Sequence, residues 1–386
     1  MTGAAIAGLG LTDVGKVYGR SAADFAREAV RLAVEDAGLG LSDVDGLLVS
    51  SGKSGGVDLG IAEALGMTDL SLLMTVNAFG ASAGAMVELA AMAIGAGSAN
   101  TVVCVFADAP LREGVRGSDV YKRPVAKGFG GHLTASGITN TTAYYALAAQ
   151  RHMEAYGTTS EQLGAVAVSQ RAWAAGNPVA RYREPLTLAE HQASRPVVDP
   201  LRLLDCCTVS NGGAAVVVTR AARAAGLRQP PVHVWGWGQG HPGYSWERGS
   251  GFGLTTGAVQ SGRAAMAMAG IGPGDVTVRE IYDCYTYTVL VTLEDYGFCA
   301  KGEGGALAAS GALAPGGALP TNTGGGQLSS FYLWGFTPLV EAVIQARGHG
   351  GRRQADDNSV ILVSGNGGIL QHHSTLVLSP LPEEAR

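Results

Sequence analysis

Ala37-Gly38-Leu39-Gly40-Leu41-Ser42-Asp43-Val44 is written a second time in the chain, as Ala269-Gly270-Ile271-Gly272-Pro273-Gly274-Asp275-Val276. Each copy closes a stretch of helical character, Ser21 to Ala37 and Ser261 to Ala269, and leads into an apolar run that reads as a strand. In the first copy Ser21 and Asp24 have capping-box spacing, and Phe25, Ala29, Leu32 and Ala33 share one face. Gly38 stands where a helix commonly ends on a left-handed glycine. A second pair of echoes follows in the same order. The small-residue loop Asn77 to Gly84 precedes a helix carrying Val87-Glu88 and a strand at Thr101 to Phe106. Its counterpart is Asn322 to Gly326, a helix carrying Val340-Glu341, and a strand at Ser359 to Val363. Two matches in one order mark an internal duplication.

Strands separated by helices predict parallel sheets with helical cover, an α/β fold. The helix Ser82 to Ala96 is apolar nearly all round, with Glu88 its only charge, which is the pattern of a helix buried between layers. Two halves, 1–225 and 226–386, packed back to back give a layered αβαβα arrangement. Between the strand at 101–106 and a strand at Ala214 to Thr219 lies an excursion, at about residues 110–200. It holds two helices, Thr141 to Tyr156 and Ser160 to Ala175, and a basic patch at Lys122, Arg123 and Lys127. It reads as a lid over the site; the alternative is an insertion with no part in it.

The 386 residues suffice for two core-bearing units, and a chain 46% apolar and 15% charged with 58 glycines is compact α/β in composition. A net charge of −5, spread along the chain, gives no reason to expect nucleic acid or an anionic membrane as partner. Five cysteines without CxxC or Cys/His ligand spacing predict neither a disulfide framework nor a metal site. No apolar run approaches the roughly 20 residues of a membrane span, and the first ten residues lack the basic region of a signal peptide. A cytoplasmic protein is expected.

Several segments carry a resemblance. They are Pro200 to Cys207 with Asn211-Gly212-Gly213, Ile281-Tyr282-Asp283-Cys284-Tyr285-Thr286, Leu293 to Cys299, and Asn322-Thr323-Gly324-Gly325-Gly326-Gln327-Leu328. Together, over nearly the whole chain, the sequence resembles the thiolase superfamily, in its sterol-carrier-protein-type or lipid-transfer branch. The resemblance implies four catalytic loops. The first would carry a nucleophilic cysteine at the start of the buried helix, where the helix dipole favours a thiolate. Here it reads Val76-Asn77-Ala78-Phe79-Gly80-Ala81-Ser82-Ala83-Gly84: no cysteine, and Gly80 at the nucleophile position. Ser82 fits a helix cap better than a nucleophile, since no base adjoins it in sequence.

In the second loop Tyr282 replaces the family's oxyanion-hole asparagine, and in the third Tyr332 falls where the catalytic histidine belongs. In the fourth, Val363-Ser364-Gly365-Asn366-Gly367-Gly368, Ser364 replaces the second cysteine. The glycines that would let a thioester approach backbone amides remain: Gly80, Gly325, Gly326, Gly367 and Gly368. Asp283, His373 and Ser364 are expected in support, His373 either orienting a loop or capping it. Cys104, Cys206, Cys207 and Cys284 read as packing residues, as do Tyr144, Tyr145, Tyr285 and Tyr287. Gly240-His241-Pro242 lacks the glycine-rich setting a catalytic histidine needs in this family.

Claisen chemistry needs a nucleophile to carry the acyl group; aldol chemistry on a CoA thioester does not. It needs a base for the β-hydroxyl, donors for the enolate and an acid for the carbanion. Tyrosine can transfer a proton, although its reference pKa of about 10 demands tuning or a water relay. Branch members with this tyrosine pattern include bacterial steroid side-chain acyl-CoA aldolases. The resemblance therefore implies Tyr282 and Tyr332 as acid and base, acting on a bulky β-hydroxyacyl-CoA. It implies no cofactor beyond the CoA of the substrate. It also implies a homodimer with Val102 to Phe106 as the pairing edge, and a small OB-fold accessory protein, fused to or associated with an enoyl-CoA hydratase. Two rivals stay open. One is a non-catalytic acyl-CoA or lipid-binding subunit, with the tyrosines as wall residues. The other is a divergent acyltransferase recruiting Cys284 or Ser364.

Overall fold

The computed structural model describes residues 3–115, 117–120, 131–243 and 249–385. The octapeptide echo is one local structure built twice. The helix Ala22–Asp36 and the helix Ala258–Ala269 are each followed by a left-handed glycine, Gly38 at φ 75° and Gly270 at φ 68°. A single 3₁₀ turn comes next, Leu41–Asp43 or Pro273–Asp275. Each turn closes identically: Asp43 Oδ2 accepts from Gly40 N–H at 2.8 Å, and Asp275 Oδ2 accepts from Gly272 N–H at 2.8 Å. The capping box at Ser21 and Asp24 forms as the spacing predicts.

Among the described residues eleven strands follow in chain order: β1 (Ala4–Leu11), β2 (Gly46–Ser51), β3 (Leu72–Thr75), β4 (Thr101–Asp108), β5 (Pro196–Val198), β6 (Leu201–Arg202), β7 (Gly212–Arg220), β8 (Val232–Gly240), β9 (Val278–Glu280), β10 (Ile361–Gly367) and β11 (His372–Ser379). β5 and β6 pair by themselves, and the other nine run in the order β3-β2-β4-β7-β1-β8-β11-β10-β9. The duplication is plain in this order. β2-β4-β7-β1 and β9-β10-β11-β8 each pair first parallel, then antiparallel twice. The two sets join through Ala5 with His233 and Ile6 with Val232.

The sheets are therefore mixed, not parallel as the alternation of strands and helices predicts. β11 returns from β10 through a turn at residues 368–371, far too short for the crossover that a parallel neighbour requires. The strand expected at Ser359 to Val363 runs instead from Ile361 to Gly367.

Alternation along the strands builds the layers. Val102, Cys104 and Phe106 face a middle core with Ile361 and Val363. In that core lie the helix Ser82–Gly95, through Ala83, Met86 and Val87, and the helix Phe336–Ala346, through Leu339, Val340 and Val343. Val103, Val105 and Ala107 face one outer core with Phe25, Ala29 and Ala33. Leu362 and Val377 face the other, with Ala265, Leu290 and Val291. The result is the αβαβα order, with Cys104 a packing residue at the centre.

The excursion carries the two expected helices, Thr141–Tyr156 capped by Asn140 and Ser160–Ala174 capped by Thr159. It leaves from the first half, yet Tyr144, Tyr145, Leu163 and Val166 belong to the outer core of the second. The basic patch at Lys122, Arg123 and Lys127 lies outside the described residues. Among the described residues no helix is long and apolar enough to cross a membrane.

Val102 to Phe106 is not an edge: β4 lies between β2 and β7. Among the described residues the open edge is β3, where Leu73 and Met74, on opposite faces, are 36% and 45% exposed. At the other end β9 is covered, since Arg279 N–H donates to Pro320 O at 3.0 Å and Asn322 N–H to Arg279 O at 2.8 Å. An apolar, unpaired edge is a template for a second copy. Light scattering is expected to give a dimer, and Leu73→Lys with Met74→Lys a monomer of unchanged fold; a wild-type monomer without any partner protein contradicts pairing at β3.

Candidate active site

β9 delivers the chain to Ile281-Tyr282-Asp283, just before the helix Thr286–Asp295. Tyr282 is 4% exposed, and Tyr332 is half-buried in the loop ahead of the helix Phe336–Ala346. Their hydroxyl oxygens are 3.1 Å apart, with the rings edge to face at 69°. Three side chains pin the Tyr332 loop. Tyr332 N–H donates to Ser210 Oγ at 3.0 Å, Leu333 N–H to Thr337 Oγ1 at 2.9 Å, and Gln327 Nε2 to Trp334 O at 2.8 Å. The backbone they hold is strained, with Trp334 at φ +50°.

Gly80 lies at the meeting point. A Cβ there would run into Asn366 O and into the Tyr282 ring, with Cζ at 2.5 Å. Neighbouring glycines allow the same closeness. A Cβ on Gly335 would strike Gly80 O, one on Gly365 would lie 2.7 Å from Gly80 O, and one on Gly367 would strike Ala78 O. The first, third and fourth loops thus touch backbone to backbone, and the Tyr282 ring fills the volume that a side chain at residue 80 would need. A cysteine at 80 and the observed Tyr282 exclude each other. Ser82 Oγ accepts from Ala78 N–H at 2.8 Å, so it fastens the loop. Phe79, at φ +53° and 46% exposed, stacks with His372 at a centroid distance of 6.2 Å beside this junction.

Asp283 holds the glycine loop. Its fully buried carboxylate accepts from Gln327 N–H at 2.8 and 2.9 Å and from Leu328 N–H at 3.1 Å, fastening the glycine loop to the residue after Tyr282. Burial pushes its pKa up to about 7 against these donors. Gly325 and Gly326 have left-handed φ of 89° and 60°, and a Cβ on either would strike Ala174 or Asp283 respectively. They serve this local packing.

Ser364 and His373 form a separate buried cluster. Ser364 Oγ and Tyr296 OH each lie 3.0 Å from His373 Nε2, and Tyr296 OH is 2.7 Å from Thr375 Oγ1. Strand parity puts Ser364 with Leu362 toward the outer core, whereas Gly365 follows Val363 to the middle. It is Gly365, not Ser364, that abuts Gly80. Gly368, at φ 62°, shapes the turn into β11.

Burial pushes the Cys284 thiol up, and Cys284 O accepts from Cys207 N–H at 3.0 Å, a joint between loops. Cys206 donates to Arg202 O at 3.3 Å. Tyr285 OH pairs with Thr142 Oγ1 at 2.9 Å, and Tyr287 donates to Gly253 O. His241, of the Gly-His-Pro stretch, is exposed, with its Nδ1 3.0 Å from that of His372. Two polar residues of this region were given no polar role by sequence: Asn366, whose Nδ2 lies 3.3 Å from Tyr145 OH, and Tyr145, which reads there as a packing residue. Asn366 had a signal, being the one polar residue between Gly365 and Gly367; Tyr145 had none.

Burial lowers the pKa of His373 from 6.5 to about 3, so its ring is neutral. Below pH 6.5 the unfolded chain binds a proton that the folded chain refuses, and stability falls as pH drops toward 3. Each pKa unit is worth about 1.4 kcal/mol, which amounts to about 3 kcal/mol by pH 4.5. Chemical unfolding of His373→Gln is expected to show a shallower acid limb than wild type between these values. Parallel limbs would mean that His373 titrates normally.

The thiolase C-terminal domain-like family matches residues 238–380. A steroid side-chain-cleaving aldolase of Thermomonospora curvata is 40% identical over 375 residues, covering 94% of this chain and 95% of its own. A 17-hydroxy-3-oxo-4-pregnene-20-carboxyl-CoA lyase of Mycobacterium tuberculosis is 38% identical, covering 94% and 96%. Among solved structures, the Ltp2-ChsH2(DUF35) aldolase superposes with a TM-score of 0.86 at 38% identity, covering 98% of both chains. With its duplicated sheets, converging glycine loops and these relatives, the chain belongs to the thiolase superfamily, beside its steroid side-chain-cleaving aldolases.

Proposed function

We propose that the chain is a carbon–carbon lyase of the aldolase type. It cleaves the Cα–Cβ bond of a β-hydroxyacyl-CoA whose acyl part is bulky, a steroid side chain first of all. One observation carries this: the nucleophile position is a glycine sealed by a tyrosine ring, and that tyrosine's hydroxyl lies 3.1 Å from a second one. The reaction balances with these groups. A base takes the β-hydroxyl proton, and the O–H electron pair becomes the C=O bond of the departing ketone or aldehyde. The Cα–Cβ pair passes into the thioester enolate, and an acid then protonates Cα to give a short acyl-CoA. The tyrosine that takes the β-hydroxyl proton passes its own hydrogen across the 3.1 Å contact to the other, whose hydrogen goes to Cα, so both phenols end as they began.

The relatives support the substrate class, by the names of the aldolase and of the pregnene-carboxyl-CoA lyase. Against an acyltransferase stand the buried, pKa-raised thiol of Cys284 and Ser364, which is buried and paired with His373 on the outer-core side of the sheet. The solved neighbour pairs its aldolase with ChsH2(DUF35). On that likeness this chain works with a small accessory protein, expected from the sequence to carry an OB-fold and to be linked to an enoyl-CoA hydratase. The reading includes a cytoplasmic setting and no cofactor beyond the substrate's CoA.

Phenylalanine at either tyrosine keeps the ring over Gly80 and deletes the hydroxyl. General acid–base catalysis is worth about 10²–10⁴-fold, so Tyr282→Phe and Tyr332→Phe are each expected to lower kcat by at least about 100-fold. KM should move only a few-fold, with melting temperature nearly constant. Tyr285→Phe, which loses only the contact to Thr142, is the near-neutral control. Turnover of 3-hydroxyacyl-CoAs by the complex with its accessory protein, followed by mass spectrometry, reads the result. Full activity in both variants would return the tyrosines to wall residues; a wild type without turnover would favour the non-catalytic binding subunit.

A further inference from the structure

One residue is bonded to the chain beside both tyrosines. Gln327 follows Gly326 and is fully buried. Its N–H donates to the two oxygens of the Asp283 carboxylate at 2.9 and 2.8 Å, and Asp283 is next to Tyr282 in the chain. Its side-chain Nε2 donates to Trp334 O at 2.8 Å, two residues beyond Tyr332. A main-chain carbonyl only accepts, so this bond fixes which end of the amide faces Trp334. The carbonyl of Gln327 accepts in turn from Thr208, from the N–H at 2.9 Å and from the hydroxyl at 3.2 Å.

The segment Cys207 to Ser210 adds an attachment to each tyrosine loop. Cys207 N–H donates to Cys284 O at 3.0 Å, two residues after Tyr282, and Ser210 Oγ accepts from Tyr332 N–H at 3.0 Å. Gln327 is tied to that segment between the two, through Thr208. Three stretches of chain therefore meet at Gln327, and two of them carry the phenols. The Trp334 end is the one under strain. Trp334 holds φ +50°, a left-handed conformation that a tryptophan keeps only where its surroundings hold it there. The carbonyl bonded by Gln327 is Trp334's own. Without that bond residue 334 relaxes, and the loop that carries Tyr332 shifts with it.

A proton passed between two phenols depends on their spacing. At 3.1 Å the hydroxyl pair stands at the long limit of an O–H···O bond, so little further separation is tolerated. We infer that Gln327 is a positioning residue for the tyrosine pair: its main-chain N–H holds the Tyr282 loop, its amide donor holds the Tyr332 loop, and together they keep the hydroxyls in contact. It transfers no proton itself. The inference rests on the aldolase reading and adds to it what holds the relay together.

Gln327→Glu keeps the size of the side chain and turns an oxygen, in place of the donor, toward Trp334 O. Gln327→Met keeps the length and removes both polar atoms. A misplacement of about 1 Å costs about 10²-fold in rate, so either variant is expected to lower kcat about 100-fold, with KM within about 3-fold. The assay is turnover of 3-hydroxyacyl-CoAs by the full chain with its accessory protein. Gln345→Met controls for lost stability, since Gln345 is equally buried and its amide bonds Glu341 Oε1, Arg353 O and the N–H of Ala355. It is expected to lower the melting temperature as Gln327→Met does while keeping kcat within about 3-fold of wild type. The deciding readout is a double-mutant cycle. With Tyr332→Phe in place the relay is already broken, and a Gln327 variant is expected to lower kcat by less than about 3-fold further. A further loss of about 100-fold in that background, or a single variant within about 3-fold of wild type, overturns the inference and leaves the aldolase reading standing. Should one Gln327 variant fail to fold, the other carries the same cycle. A wild type without turnover, or Tyr332→Phe as active as wild type, overturns the reading on which the inference rests.

Discussion

The ring of Tyr282 lies against the Cα of Gly80, and the remainder of the site is arranged around that contact. No flexible side-chain end stands where a Cβ on residue 80 would go. The obstacles are a main-chain oxygen, Asn366 O, and a ring whose own position is fixed by burial and by the strand before it. Close-packed interiors absorb such an intrusion only by shifting backbone. The family's nucleophile has therefore been lost together with the space for it. What remains is a junction of glycine loops roofed by two phenols.

The duplication explains why so many loops reach one place. Each half ends its strands β4 or β10 beside a buried helix in the middle layer, so loops from both halves meet over the same core. The first half supplies residues 77–84; the second supplies Tyr282, Tyr332 and the glycines of β10. The excursion adds the last wall. Its helices pack on the second half and bring Tyr145 to Asn366, so the site draws on every part of the chain. Left-handed φ at Phe79 and Trp334, neither a glycine, lies next to Gly80 and within two residues of Tyr332. Strain of that kind persists where surrounding contacts over-determine the backbone, as Ser210, Thr337 and Gln327 do here.

Much of this was legible in the sequence because it is local. The repeated octapeptide encodes a helix end, a left-handed glycine and an Asp-closed turn, all within eight residues, and both copies fold alike. The buried helix announced itself by its single charge. The family resemblance then located Gly80, Tyr282 and Tyr332, which the structure brings together. Strand order was not legible: nothing in Val102 to Phe106 distinguishes a central strand from an edge, and the true edge is a strand of four residues. Ser364 shows how fine the margin is. A one-residue change of parity sends a side chain to the other face of a sheet, and Gly365 took the place assigned to it. Asn366 and Tyr145 are 221 residues apart, so no spacing could join them.

The proposed reaction acts on the thioester without holding the acyl group covalently. The most direct measurement is a rapid-quench single turnover of a steroid-side-chain β-hydroxyacyl-CoA, with intact-protein mass and small-molecule products read from the same samples. The ketone and the short acyl-CoA should appear together while the protein mass stays at that of the unmodified chain throughout. An acyl adduct on Cys284, Ser364 or any other residue, formed and lost at the rate of turnover, would contradict it.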